Sequence, residues 1–304
     1  MAYSLLFNRY AFDSPIKFCC VSCPAARLML STKKLLVVTD LDATLLDHDY
    51  CWAAAQPAIS QLQQHGWPLV LNSSKTLMEM QVLAAALNLH TPIIAENGGL
   101  IAIPVRGDYG GDHNGGLGGG TREYAIEIKG LPRQTILDVA HSLRTCHGYQ
   151  FSGFADWSTA ELVALTGLSP EQAEASSARL ATEPIRWDDS EAKRLSFADS
   201  LAKKGIRMLK GGRFWHLMGH ADKADGVQAV RQYFEQQEPA TAWQVLALGD
   251  SANDTAMLQA ADIAVVIPHA EGPRIRPQAG RVVHAPQPAS AGWNAAILSI
   301  LAEF

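Results

Sequence analysis

Short unbroken apolar runs alternate along this chain with longer amphipathic stretches. Leu35-Leu36-Val37-Val38-Thr39 carries no charge, holds several β-branched residues and stops at an acidic turn. That is the pattern of a parallel strand buried on both faces. Residues 53–65 have helical composition and end at Gly66, a natural C-cap. Pro68-Leu69-Val70-Leu71-Asn72 predicts a second strand. Leu77, Met80, Ala84 and Leu87 then keep helical spacing, with Thr76 and Glu79 placed as a capping box. Pro92-Ile93-Ile94-Ala95 predicts a third strand. The alternation returns late: a helix over 223–236, a strand at Val245–Leu248, a helix over 253–261, a strand at Ile263–Ile267 and a short one at Val282-Val283. Strand–helix alternation at both ends implies one α/β domain with a doubly wound parallel sheet.

The middle of the chain reads differently. Residues 105–210 carry an inserted α+β unit, with a strand at Tyr124–Ile128, helices over 132–146, 169–181 and 190–203, and a strand at Pro184–Trp187. A hairpin at Ile206–Leu209 and Phe214–Met218 turns around Gly211-Gly212. The expected division is an arm at 1–34, a core at 35–104 and 211–304, and the insert between, the hairpin running to about 219. Gly107–Gly120 has eight glycines in fourteen residues, which suits a solvated connector and not a packed core.

Composition narrows the function. With 48% hydrophobic and 18% charged residues, the chain is too apolar for a disordered protein. A net charge of -5 leaves no global footprint for nucleic acid, and no apolar run is long enough for a membrane span. The first 34 residues hold five basic residues against one acid and lack the apolar core of a signal peptide. They read as a disordered arm, or as translation called from an upstream start with Met29 as the alternative. Cys20-x-x-Cys23 has metal-like spacing, but no second pair follows, so free thiols and a cytoplasmic location are expected.

Ligands of open parallel sheets bind beyond the carboxyl ends of the strands. Four such ends carry chemistry here: Asp40-Leu41-Asp42-Ala43-Thr44, Asn72-Ser73-Ser74-Lys75, Glu96-Asn97-Gly98-Gly99 and Gly249-Asp250-Ser251-Ala252-Asn253-Asp254. With Lys223 opening a late helix, these motifs resemble the haloacid dehalogenase (HAD) superfamily of phosphotransferases, and the insert resembles the cap of its Cof-type branch. Asn72–Thr76, Glu96–Gly99, Gly211-Gly212-Arg213-Phe214 and Gly249–Asp254 are most similar to the mannosyl-3-phosphoglycerate phosphatase family. The likeness spans roughly 35–300, without the arm and the glycine-rich loop.

The chemistry also follows from the residues. A carboxylate can attack phosphorus and split ester hydrolysis into two steps through an aspartyl phosphate. Asp40, first at its strand end, is the candidate nucleophile. Asp42, two residues on, can face the leaving group; it would protonate it and then take a proton from the attacking water. Paired carboxylates beside a phosphate call for a divalent cation, and Mg²⁺ favours oxygen ligands. The resemblance implies Asp40, Asp250 and the Asp42 carbonyl as ligands, with Asp254 as support or a further ligand. Ser73 near a helix start and Lys223 supply positive potential to the phosphoryl oxygens, and Thr44 adds a hydrogen bond. Lys75 reads as an exposed helix-start charge or a phosphate contact. The resemblance also suggests Glu96 and Asn97 for sugar hydroxyls, and Gly211, Gly212 and Arg213 for a substrate carboxylate.

One position departs from the family pattern. Ala43 stands where glycine is usual, which is harmless at negative φ and strained at positive φ. The expectation is a Mg²⁺-dependent phosphomonoesterase on a small phosphorylated sugar or glycerate, mannosyl-3-phosphoglycerate first and glucosyl-3-phosphoglycerate next. A hexose phosphomutase and a non-catalytic sugar-phosphate binder are the alternatives.

Overall fold

The computed structural model describes residues 32–105 and 123–304. Most of the basic arm, with Met29 and the Cys20/Cys23 pair, and the whole glycine-rich segment 107–120 lie outside them. In chain order the elements are β1 (Thr32–Thr39), α1 (Gln56–Gln64), β2 (Leu69–Asn72), α2 (Leu77–Ala86), β3 (Ile93–Ala95), β4 (Leu100–Pro104) and β5 (Tyr124–Ile128). Then come α3 (Arg133–His147), β6 (Phe151–Gly153), α4 (Thr159–Thr166), α5 (Pro170–Ser177), β7 (Thr182–Trp187), α6 (Glu191–Ala202), β8 (Arg207–Lys210) and β9 (Trp215–Met218). The chain closes with α7 (Lys223–Gln237), β10 (Thr241–Gly249), α8 (Thr255–Gln259), β11 (Ile263–Val266), β12 (Arg281–His284) and α9 (Ala289–Leu301).

The larger sheet has eight strands in the order β12-β11-β10-β1-β2-β3-β4-β5. From β12 to β3 all neighbours are parallel; β4 and β5 close one side antiparallel. The uninterrupted apolar run of β1 is explained by burial on two faces. Leu35 and Val37 pack with Ile59, Met80 and Trp293 from α1, α2 and α9. Leu36 and Val38 pack with Val227, Val230 and Met257 from α7 and α8. Because β1 pairs with β2 on one side and β10 on the other, chain order reverses at this seam. Asp40 N donates to Leu248 O at 3.0 Å, which brings the ends of β1 and β10 side by side. Such a switch point is where this architecture opens its crevice.

The smaller sheet, β6-β7-β9-β8, is antiparallel, and α3 and α6 cover it through Ile136, Ala140, Phe197 and Leu201. One element moves against expectation. Tyr124–Ile128 was assigned to the insert, yet β5 hydrogen-bonds β4 and extends the larger sheet. Four of its five residues are exposed, so burial periodicity carried no signal of which sheet it joins. The structure also adds β4, β6, α4 and α9 to the elements expected. In α9 apolar residues lie on nearly every side, so it lacks the polar stripe that marks an amphipathic helix.

Candidate active site

Two close approaches put the site together. Gly226 in α7 lies where a Cβ would stand 2.3 Å from Ile94 Cγ2, so glycine lets α7 press onto the sheet. Gly98, at φ +85°, lies where a Cβ would meet Asp222 O at 1.8 Å. The start of α7 is thereby packed against the turn after β3. Asp222 caps α7 by accepting from Ala224 N and Asp225 N, and Lys223 enters the interior as its first helical residue.

The ammonium of Lys223 is 1% exposed and holds two carboxylates, Asp40 Oδ1 at 2.5 Å and Asp254 Oδ1 at 2.6 Å. Asp254 Oδ2 accepts from Asp250 N and Ser251 N, both at 3.0 Å, which fixes the turn carrying Asp250. Asp250 Oδ1 accepts from Thr44 Oγ1 at 3.2 Å, and its Oδ2 lies 2.8 Å from His269 Nε2. The histidine meets it as an electrostatic contact, not as an aligned hydrogen bond. Carboxylate oxygens of Asp40, Asp250 and Asp254 all lie within 4.8 Å of one another, and all three residues are buried.

Burial, and then the negative charge of Asp254, push the Asp40 carboxyl up to about 8 despite Lys223. Burial and Asp254 also raise Asp250, against the pull of His269 and Thr44. For Lys223 burial works against the charged form, but Asp254 and Asp40 outweigh it and hold the ammonium above its ordinary value. The donor set suits a hard divalent cation: crowded oxygen ligands whose mutual repulsion an added positive charge would relieve. Asp40 and Asp250 would hold it, with the Asp42 carbonyl beside them.

Thr44, Glu96 and Arg213 each make contacts within the protein. Thr44, expected to bond substrate, gives its hydroxyl proton to Asp250 in this structure. Glu96 was expected to take sugar hydroxyls. It is fully buried, and Oε1 accepts from Leu180 N at 2.7 Å while Oε2 accepts from Ala181 N at 3.0 Å and Thr182 Oγ1 at 2.6 Å. Glu96 thus joins the larger sheet to the segment entering β7. We expect Glu96→Ala to lower unfolding free energy by about 3 kcal/mol or more, since it strands buried donors; a urea melt checks this. Arg213 Nη1 donates to Thr166 O at 2.5 Å, so its guanidinium is engaged at the end of α4. Gly211 N bonds Phe214 O and closes the hairpin turn, and Gly212 stands in open space. Among the described residues no hydrogen bond or ion pair ties these three to the Asp40 cluster.

Other candidates do meet near the cluster. Ser73 is buried, its hydroxyl accepting from Lys75 N at 3.3 Å and its carbonyl from Asn97 N at 2.9 Å. Asn97 Oδ1 accepts from Asn253 Nδ2 at 3.4 Å, linking two of the motif loops. Asp42 is half-exposed, and its Oδ1 pairs with Lys75 Nζ at 3.1 Å. Lys75 is therefore no solvated helix-start charge. His269 was missed altogether, although the rule applied to the other strand ends would have found it just past β11.

Ala43 has φ 60°. The strained alternative is the one the structure adopts. A left-handed backbone costs a non-glycine residue about 1–2 kcal/mol. We expect Ala43→Gly to stabilise the fold by about 0.5–1 kcal/mol net of glycine's unfolded-state entropy. The check is a higher urea midpoint at unchanged m-value.

Comparison with known proteins agrees with this arrangement. The sequence profile of the haloacid dehalogenase-like hydrolase family matches residues 37–109, from the end of β1 through β4. A glucosyl-3-phosphoglycerate/mannosyl-3-phosphoglycerate phosphatase of Methanococcoides burtonii is 32% identical over 284 residues, 88% of this chain and 97% of that protein. One of Persephonella marina with the same name is 34% identical over 283 residues, 88% of this chain and 98% of that protein. The chain belongs to the haloacid dehalogenase-like hydrolases. The hydrolase also shares its fold with a Bacillus subtilis haloacid dehalogenase-like hydrolase (TM-score 0.57, 15% identity, 88% of this chain and 99% of that one). A Thermotoga maritima protein aligns at TM-score 0.61 and 14% identity, over 88% of this chain and 97% of its own. By family and relatives this hydrolase is a phosphoric monoester hydrolase. Among its described residues no helix is long and apolar enough to cross a membrane.

Proposed function

We propose that this hydrolase removes phosphate from a sugar-bearing 3-phosphoglycerate, mannosyl- or glucosyl-3-phosphoglycerate, through an aspartyl phosphate on Asp40. The observation that carries the mechanism is Asp40 itself: a buried carboxylate at the switch point, held by Lys223, with Asp42 two residues on at the half-exposed rim. The substrate choice is supported by the relatives, whose printed names carry both sugars.

An Asp40 oxygen attacks phosphorus, and the bond from phosphorus to the glycerate oxygen breaks. Asp42 gives that oxygen its proton. Water then attacks the aspartyl phosphate, Asp42 takes the water's proton, and phosphate leaves with the Asp40 carboxylate restored. Lys223 balances charge on the transferring group. Ser73 is the candidate donor to a phosphoryl oxygen, and Thr44 and Asp254 keep Asp250 and Lys223 in place. Mg²⁺ held by Asp40, Asp250 and the Asp42 carbonyl, with Asp254 behind them, would offset the negative charge of phosphate against the carboxylates. The smaller sheet with its helices serves as the cap that screens the leaving group.

The test is phosphate release, with Mg²⁺ present, from both phosphoglycerate esters, sucrose phosphate, hexose phosphates and p-nitrophenyl phosphate. The highest kcat/KM is expected on a phosphoglycerate ester. A preference for hexose phosphates, or transfer back to sugar when a hexose bisphosphate is supplied, would end the substrate reading.

A further inference from the structure

We propose that Lys75 is the receptor for the carboxylate of the leaving group, and so the residue that selects phosphoglycerate esters. This rests on the phosphoglycerate reading above. The Lys75 backbone is pinned on both sides: its N–H donates to Ser73 Oγ at 3.3 Å, and its carbonyl accepts from Glu96 N at 2.9 Å. The side chain runs to the mouth of the site, where Nζ lies 3.1 Å from Asp42 Oδ1 and 5.0 Å from the centre of the Tyr50 ring. Tyr50 is exposed and holds φ 58°, a costly backbone for a bulky residue, and its ring stands over the ammonium. The Lys75 side chain is 19% exposed and that of Asp42 is 49% exposed, so the pair marks the boundary between site and solvent.

The geometry of the reaction brings the leaving group to this pair. Asp42 hands its proton to the ester oxygen, so that oxygen must sit at Asp42. In a 3-phosphoglycerate ester only two carbons separate the ester oxygen from the carboxylate carbon. A carboxylate so close to Asp42 lies within reach of the cation bonded to Asp42. An ammonium has three donors and can bridge two carboxylates at once. Three arginines of the insert are engaged by other groups of the protein. Arg133 pairs with Glu183 at 2.7 Å. Arg179 donates to Ser74 O, Ser176 O and Thr182 Oγ1. Arg213 is bound to Thr166 O.

The experiment compares glucosyl-3-phosphoglycerate with glucosylglycerol 3-phosphate, which has a hydroxymethyl group where the first has its carboxylate. The kcat/KM ratio of the two is measured for wild type, Lys75→Met and Lys75→Arg, each checked for folding by thermal melt. Losing a charge-assisted contact should cut the preference for the carboxylate ester by roughly 10–150-fold in Lys75→Met. Lys75→Arg should keep part of it. Equal proportional losses on both esters would mean that Lys75 serves only Asp42, and would overturn the proposal. So would a Lys75→Met enzyme with the wild-type ratio. A wild type that shows no preference for the carboxylate ester would instead sink the phosphoglycerate reading, and this inference with it.

Discussion

Replacing Asp40 by asparagine is expected to lower turnover by more than about 10³-fold while the protein stays folded. An amide has neither the charge nor the lone-pair basicity to attack phosphorus, so no aspartyl phosphate forms. Asparagine keeps the volume of the side chain, and its carbonyl can still accept from the Lys223 ammonium, which retains Asp254 at 2.6 Å. Two measurements separate loss of chemistry from loss of structure. Phosphate release is followed at saturating substrate and Mg²⁺, and a rapid acid quench looks for a hydroxylamine-labile phosphoprotein. Wild type should show the labile species and Asp40→Asn should not. Asp42→Asn should lose about 10²–10⁴-fold, as expected for an acid–base group. A folded Asp40→Asn enzyme with undiminished turnover would remove Asp40 as nucleophile.

Without a divalent cation, stability is expected to fall as pH rises from about 4 to about 8. The Asp40 carboxyl titrates near its ordinary 3.8 in the unfolded chain but at about 8 in the folded protein, because burial and Asp254 disfavour its charge. Between those values the folded state holds a proton that the unfolded state has released. Unfolding then releases protons, so raising the pH favours the unfolded state, and the loss is complete above the folded value. Asp250, also raised, adds to the slope at the acid end. In EDTA the melting temperature should therefore drop by about 10 °C or more across this window, at about 2–4 °C per kcal/mol. Mg²⁺ at about 100 times its Kd should restore about 2.7 kcal/mol at the alkaline end, or about 5–10 °C. Asp40→Asn should flatten the EDTA slope, because the group responsible is gone. Chelation should also stop turnover. A pH-independent melting temperature in EDTA would show that Asp40 does not carry the proton.

The strands at the centre of the larger sheet and the four motif loops at their ends were legible in the residues alone. Burial on both faces forces Leu35–Thr39 and Val245–Leu248 to be apolar throughout, and chain polarity then sends Asp40 and Asp250 to the same edge. Helix starts were also legible where capping is local, as at Thr76 with Glu79. Tertiary structure decided what each polar side chain at that edge faces. Nothing in Glu96-Asn97-Gly98-Gly99 says that the Glu96 carboxylate turns into the protein to bind the backbone of Leu180 and Ala181, more than eighty residues away. Nor does sequence spacing show that Lys75 reaches Asp42, that His269 meets Asp250, or that Arg213 is bound by the end of α4. Periodicity reports whether a residue faces core or solvent. Whether a buried or rim charge meets a ligand or another part of the chain depends on contacts between segments distant in sequence, and those exist only once the strands have taken their order.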